Sequence, residues 1–209
     1  MIKKYKIKKF RWINKGFTLV ETLVAISIFT VSILGLMSVL TKSIANITYA
    51  KEELTASYLA QEGIEYMRNM RDTFVLYDPS GSSQTGWNAF YNYLRKISSK
   101  CQTSNRGCYF DDQSLDYTNQ AQPMAGLALI ACTSTNCAND APLLYDSATG
   151  KYGYTASGTT VNSGFKRQIY VTYVVGNPDE TQIRSTVYWK QGSGSYNVSF
   201  SEYLFNWVQ

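Results

Sequence analysis

The sequence predicts an α+β protein, with one long N-terminal helix followed by a head that closes in antiparallel sheet. Three observations carry this. From Phe17 to Leu40 there are 24 residues with one formal charge, Glu21. Helix breakers are scarce beyond that run: no proline precedes Pro79, and Gly35 and Gly63 are the only glycines between Phe17 and Asp78. Near the C-terminus, apolar and polar residues alternate in three runs separated by turn signals.

Taken as a helix, residues 17–40 extend about 36 Å, enough to cross a bilayer core with some tilt. Ahead of them stand Lys3, Lys4, Lys6, Lys8, Lys9, Arg11 and Lys15 with no acidic residue. That asymmetry holds the N-terminus in the cytoplasm and sends the C-terminus outward. A carboxylate inside such a span costs about 2.5–3.5 kcal/mol on insertion scales, so Glu21 either sits near the headgroups or has a partner.

Residues 41–77 continue as the extracytoplasmic half of the stem helix. Ile47, Ala50, Leu54, Ala60, Ile64, Met67 and Phe74 recur at helical spacing, with Lys51, Glu52 and Glu53 on the polar side and Glu62 and Glu65 largely off the stripe. Glu65 with Arg68, and Arg68 with Asp72, read as local ion pairs. The helix ends near Asp72–Tyr77, before the turn Asp78-Pro79-Ser80-Gly81.

The head, residues 78–209, begins with a loop over Ser80–Gly86. A short helix follows from Trp87 to Ile97, with Trp87, Phe90, Tyr91, Leu94 and Ile97 on one side. Residues 101–164 read as loops and short strands, with apolar runs at Leu127–Ala131 and Leu143–Tyr145. A turn over Asp146–Lys151 separates strands near Leu144 and Tyr152. The sheet spans about 165–205. Its strands carry Phe165, Arg167, Ile169, Val171, Tyr173 and Val175; then Ile183, Val187 and Trp189; then Tyr196, Val198, Phe200 and Leu204. This is a three-stranded antiparallel meander whose apolar face covers the stripe of the stem.

Composition narrows the chemistry. The net charge is +5, but the first 16 residues carry +7 and the remainder −2, so a bulk basic surface is absent. There is no histidine, which removes the commonest general base and metal ligand. Cys101, Cys108, Cys132 and Cys137 are an even set in an exported domain and predict two disulfides. The sequence-local choice among three pairings is Cys101–Cys108 with Cys132–Cys137. Their spacings are not C-x-x-C, so redox or zinc chemistry is not indicated. Asp111-Asp112 and Asp146 lack calcium-loop spacing and read as solvated turns. No G-x-S-x-G element occurs, and pairs such as Asp111/Asp112 are unremarkable in a polar loop. No catalytic residue, metal ligand or cofactor is expected. Arg95-Lys96 and Lys166-Arg167, with tyrosines nearby, are weak candidates for nucleic-acid contacts.

The basic leader, Gly16-Phe17-Thr18-Leu19-Val20-Glu21 and the apolar run to Leu40 together resemble the class III signal of type IV pilins and type II secretion pseudopilins. The resemblance implies a leader of residues 1–16, cut by prepilin peptidase between Gly16 and Phe17, with N-methylation of Phe17. It implies that Glu21 docks on the new Phe17 amine of a neighbouring subunit. It also implies a type IV pilin-like fold. The partners it implies are other pilin or pseudopilin subunits, cytoplasmic membrane lipid and an assembly platform. The subunit would wait as a single-pass protein of the cytoplasmic (inner) membrane with its head outside, and then join a pilus at the cell surface. Ala56–Glu65 with Arg68–Asp72 resembles the second half of a minor pilin helix of the PilV-like kind.

Several readings stay open at this level. The subunit could serve a pilus, a secretion pseudopilus, or a competence or adhesion tip. A more distant alternative is a single-pass membrane-anchored enzyme or sensor. An ordinary secretory signal with cleavage after Ser43-Ile44-Ala45 fits poorly, because its apolar region spans only about 7–15 residues. A plain uncleaved anchor gives no reason for Gly16-Phe17 or Glu21.

Overall fold

The structure is a computed structural model that describes residues 16–101, 106–111 and 129–206, without the side chains of 96–100. The leader up to Lys15, Asp112, the Leu127–Ala128 part of the apolar run, and the side chains of Lys96 and Ile97 lie outside the described residues. Helix α1 runs Leu19–Leu76, and the chain divides into two compact units between Thr48 and Tyr49.

The first unit is the N-terminal part of α1. Every side chain from Gly16 to Thr48 is exposed, including Phe17, Leu19, Val20 and the large aliphatics through Leu40. The hydroxyls in this apolar stretch bond inward to the helix's own carbonyls: Thr22 to Leu19, Ser27 to Leu23, Thr30 to Ser27, Ser32 to Ile28 and Thr41 to Met37, at 2.8–2.9 Å. Satisfied within one helix, they lower the cost of immersion in an apolar medium. The helix continues through Gly35.

In the second unit, the remainder of α1 packs on a five-stranded sheet. The strands are β1 (Cys108–Tyr109), β2 (Ile130–Ala131), β3 (Leu144–Asp146), β4 (Tyr152–Gly153), β5 (Thr160–Asn162), β6 (Lys166–Tyr173), β7 (Glu180–Gln191) and β8 (Gly194–Phe205). The main sheet has the order β2-β1-β6-β7-β8, antiparallel throughout, and β4-β3-β5 form a separate small sheet. The α+β architecture read from the sequence therefore holds. The C-terminal meander is larger than expected, because β1 and β2 add to its β6 edge through Cys108↔Ile169.

The buried face of α1 is made by Ala56, Leu59, Ala60, Gly63, Ile64, Tyr66, Met67, Met70 and Phe74. This corrects the expected stripe: Ile47, Ala50 and Leu54 are exposed, and Leu59, Tyr66 and Met70 are buried instead. Small residues lead the true stripe, since they permit close approach of helix to sheet. One core cluster joins Ile64, Met67, Met70 and Phe74 to Trp87, Phe90, Leu94, Ile169, Val171, Ile183 and Leu204. The other joins Ala56, Leu59 and Ala60 to Leu143, Phe165, Val187 and Trp189.

Helix α2 spans Ser83–Cys101 and is longer at both ends than Trp87–Ile97. The Ser82 carbonyl accepts the Gly86 amide at 3.0 Å, so the expected loop is partly helix. Gly86 fits there because the helix passes close to the end of α1. A Cβ at this position would lie 2.5 Å from the Phe74 carbonyl oxygen. The Trp87 indole donates to the Pro178 carbonyl at 3.0 Å, tying α2 to the β6–β7 turn.

Other expectations shift in detail. Val175 is fully exposed beyond the end of β6, and Phe200 is over a third exposed on the edge strand β8. Arg68 pairs with Glu65 but also with Glu202 of β8, both at 2.6 Å, while Asp72 pairs with Arg71 rather than Arg68. The turn over Asp146–Lys151 joins β3 and β4 in the register Leu144↔Gly153.

Candidate functional site

Gly16, Phe17 and Thr18 precede the first helical residue, Leu19. Thr18 caps the helix: its carbonyl accepts the Thr22 amide at 3.2 Å and its Oγ1 accepts the Glu21 amide at 3.3 Å. Glu21 stands three residues after the cap, so Thr18-Leu19-Val20-Glu21 has the residue types and spacing of a capping box. An anion in the first turn also lies favourably in the helix dipole. The S/T-x-x-E signal was available in the sequence, and Thr18 supplies its half of the box by accepting the Glu21 amide. Phe17 is 79% exposed, and among the described residues the Glu21 carboxylate has no ion pair or hydrogen bond. Phe17, the Thr18 cap and the Glu21 carboxylate thus occupy one accessible stretch.

The other sequence candidates are distributed over the head. Cys101 is bonded to Cys108 and Cys132 to Cys137. Cys108 lies in β1 and Cys132 directly follows β2, with its amide on the Gly107 carbonyl at 3.0 Å, so the bridges fasten the irregular chain around β1 and β2. Cys132, Cys137 and Asp140 come within ligating distance of one another, but both thiols are consumed in the disulfide. The Asp140 carboxylate instead accepts the Thr133 amide at 3.0 Å and the Thr133 hydroxyl at 2.9 Å.

Asp146 organises its own turn. It accepts the Thr159 hydroxyl at 2.6 Å, the Ala148 amide at 2.9 Å and the Thr149 hydroxyl at 2.9 Å. These bonds, the Thr159 hydroxyl foremost, hold its carboxyl below the usual range. Asp111 accepts the Thr155 hydroxyl at 3.0 Å. Burial pushes the Tyr154 phenol well above its ordinary value.

Arg167 is not the accessible cation that a nucleic-acid contact requires. It is 1% exposed, ion-paired with Glu62 at 2.8 Å and seated over the Phe110 ring. Its neighbour Lys166 donates to the Ala138 carbonyl. Arg95 is exposed beside the Tyr91 ring, with its guanidinium carbon 5.9 Å from the centroid. Arg95 and Lys166-Arg167 therefore do not combine into the anticipated patch, because alternation along β6 turns Arg167 inward. The spacing S-x-x-K occurs at Ser163–Lys166. Ser163 donates its hydroxyl to the Leu143 carbonyl at 2.6 Å, so hydroxyl and ammonium serve separate backbone contacts.

Together these features define a class: an α+β protein with a disulfide-bearing head and one helix, among the described residues, long and apolar enough to cross a membrane. Residues 13–37 match the family model described as the prokaryotic N-terminal methylation motif. The chain thus carries a class III signal of the type IV pilin-like kind and is membrane-anchored. The match includes Gly16, Phe17, Thr18 and Glu21 and ends before the head. No curated protein and no solved structure matches the chain.

Proposed function

We propose that the chain is a structural subunit, a minor pilin or pseudopilin, of a type IV filament machine. The observation that carries this is the coincidence of the methylation motif with a capped, exposed, apolar helix start bearing one carboxylate. Prepilin peptidase removes residues 1–16 between Gly16 and Phe17, and the Phe17 amine is methylated. The subunit then moves from the inner membrane, with its head outside, into a bundle of stems. There the Phe17 amine of one subunit faces the Glu21 carboxylate of the next. In that drier setting an unpaired charge costs several kcal/mol, and the amine offsets it.

The test is coexpression with a prepilin peptidase, followed by intact-mass and N-terminal analysis. A mature protein that begins at methylated Phe17 supports the reading. One that begins at Met1 or after Ala45 overturns it. A bulky residue at position 16 is expected to block the cut.

A further inference from the structure

The face of β6–β7–β8 opposite α1 has a composition the subunit role does not call for. Cross-strand registers set three rows over it: Lys166–Tyr188–Asn197, Gln168–Thr186–Ser199 and Tyr170–Arg184–Ser201. A concavity of about 380 Å³ lies over these rows, bounded by Asn136 of the Cys132–Cys137 loop. A second, of about 480 Å³, shares Asn136 and Tyr188 and adds Lys166, Lys190 and Ser195. The two adjoin at Asn136 and Tyr188 and together make one groove over the sheet.

The floor of this groove is organised. Gln168 and Thr186 are each 5% exposed. Tyr188 donates its hydroxyl to Gln168 Oε1 at 3.0 Å, and Gln168 Nε2 donates to the Arg106 carbonyl at 2.9 Å. The Thr186 and Ser199 hydroxyls are 2.7 Å apart. Arg184 and Lys190 rise from β7 as exposed cations. Among the described residues, no aspartate or glutamate lines either concavity, although the sequence after residue 16 is net acidic.

Hydroxyls, side-chain amides and tyrosine rings on one surface suit a ligand that presents both C–H faces and many hydroxyls. Cations without carboxylates among the described lining residues favour an anionic ligand. We propose that this groove binds an acidic oligosaccharide. A sugar ring stacks on Tyr188, its hydroxyls meet Asn197 and Ser199, and its carboxylates meet Arg184 and Lys190. Single-stranded nucleic acid suits the surface less well, since successive bases need adjoining ring platforms. Here Tyr170 and Tyr188 stand on different strands with the Gln168–Thr186 row between them.

The experiment uses the full chain in detergent micelles and a fluorescent oligogalacturonate, read by anisotropy. Saturable binding is expected that weakens with salt and falls roughly tenfold in both Tyr188→Ala and Arg184→Gln. Lys151→Gln, on the β3–β4 turn, is expected to bind as wild type does. Arg184 is exposed, so an unchanged unfolding midpoint shows that its loss acts on binding and not on folding. The proposal is overturned by absence of binding, by equal affinity in the groove variants, by equal binding of a neutral dextran oligomer, or by tighter binding of an oligothymidylate.

Discussion

The Arg167 guanidinium stands 2.8 Å from the Glu62 carboxylate and 3.8 Å over the centre of the Phe110 ring. One side chain on β6 thus joins α1 to the segment that follows β1. Its NH groups also approach the carbonyls of Leu59 at 3.5 Å and Phe110 at 3.4 Å, while Phe110 stacks on Tyr66 at 3.6 Å. A charge this deeply buried depends on its counter-ion.

Glu62→Gln is therefore expected to destabilise the head by about 1–3 kcal/mol, less than for a wholly buried pair because the Glu62 side chain is 35% exposed. Adding Arg167→Met should recover part of that loss, since no unpaired charge remains. Urea unfolding of the two single variants and the double variant measures the coupling. Additive losses would show that the pair does not act as a unit.

Gly63 sets the closest approach of α1 to the sheet. A Cβ there would lie 2.2 Å from Ser185 Oγ and 2.9 Å from Ile169 Cδ1. Gly63→Ala is expected to cost about 1–3 kcal/mol by overpacking, and Ser185→Gly in the same chain to relieve part of it. The midpoint of thermal unfolding reports both effects.

The Thr18 hydroxyl caps the Glu21 amide, while the Glu21 carboxylate has a proposed docking role, and two substitutions separate cap from charge. Gln is also suited to the third position of a capping box, so Glu21→Gln preserves the cap but removes the charge. Thr18→Ala removes the cap, at about 1 kcal/mol of helix stability, and leaves the charge. If docking is electrostatic, Glu21→Gln lowers recovery in the filament fraction while cleavage at Gly16–Phe17 and membrane level persist. Equal recovery with wild type would show that docking does not need the Glu21 charge.

For the disulfides, non-reducing peptide mapping is expected to recover Cys101–Cys108 and Cys132–Cys137 peptides. Replacing both Cys132 and Cys137 with Ser should cost about 2–3 kcal/mol, as small loops gain less from cross-linking than long ones. A Cys108–Cys132 peptide would show a different connectivity.

Asp146 gives the head an acid-sensitive turn. Its folded-state carboxyl titrates below the usual carboxylate range, so its contribution is present above about pH 4 and is lost as pH falls through the lower folded value. Asp146→Asn should flatten the decline in stability between about pH 5 and pH 2. Unfolding midpoints of wild type and variant across that range check the sign.

Much of the architecture was legible because its signals are local. An uninterrupted apolar run, a missing proline and a two-residue alternation each report on neighbours in the chain, and α1 with β6–β8 follow from them. The methylation motif at residues 13–37 is local in the same way, as is Thr18-x-x-Glu21, which was present though unread. The stripe on α1 was read less well. Its boundary depends on where the sheet covers the helix, so Leu54 is exposed and Gly63 is buried with no change in local pattern.

By itself, then, the sequence determined an apolar helix with one carboxylate after a basic N-terminal segment, a methylation motif and an antiparallel C-terminal meander. Only the tertiary structure decided that Arg167 is an internal ion-pair partner of Glu62, 105 residues away, and not a surface cation. It alone brought Asn136 to the rim of a groove floored by Gln168 and Thr186. The physical reason is the range of the forces involved. Helix and strand preferences are set within a few residues, whereas the partner of a buried charge and the shape of a sheet's outer face arise only when distant segments pack.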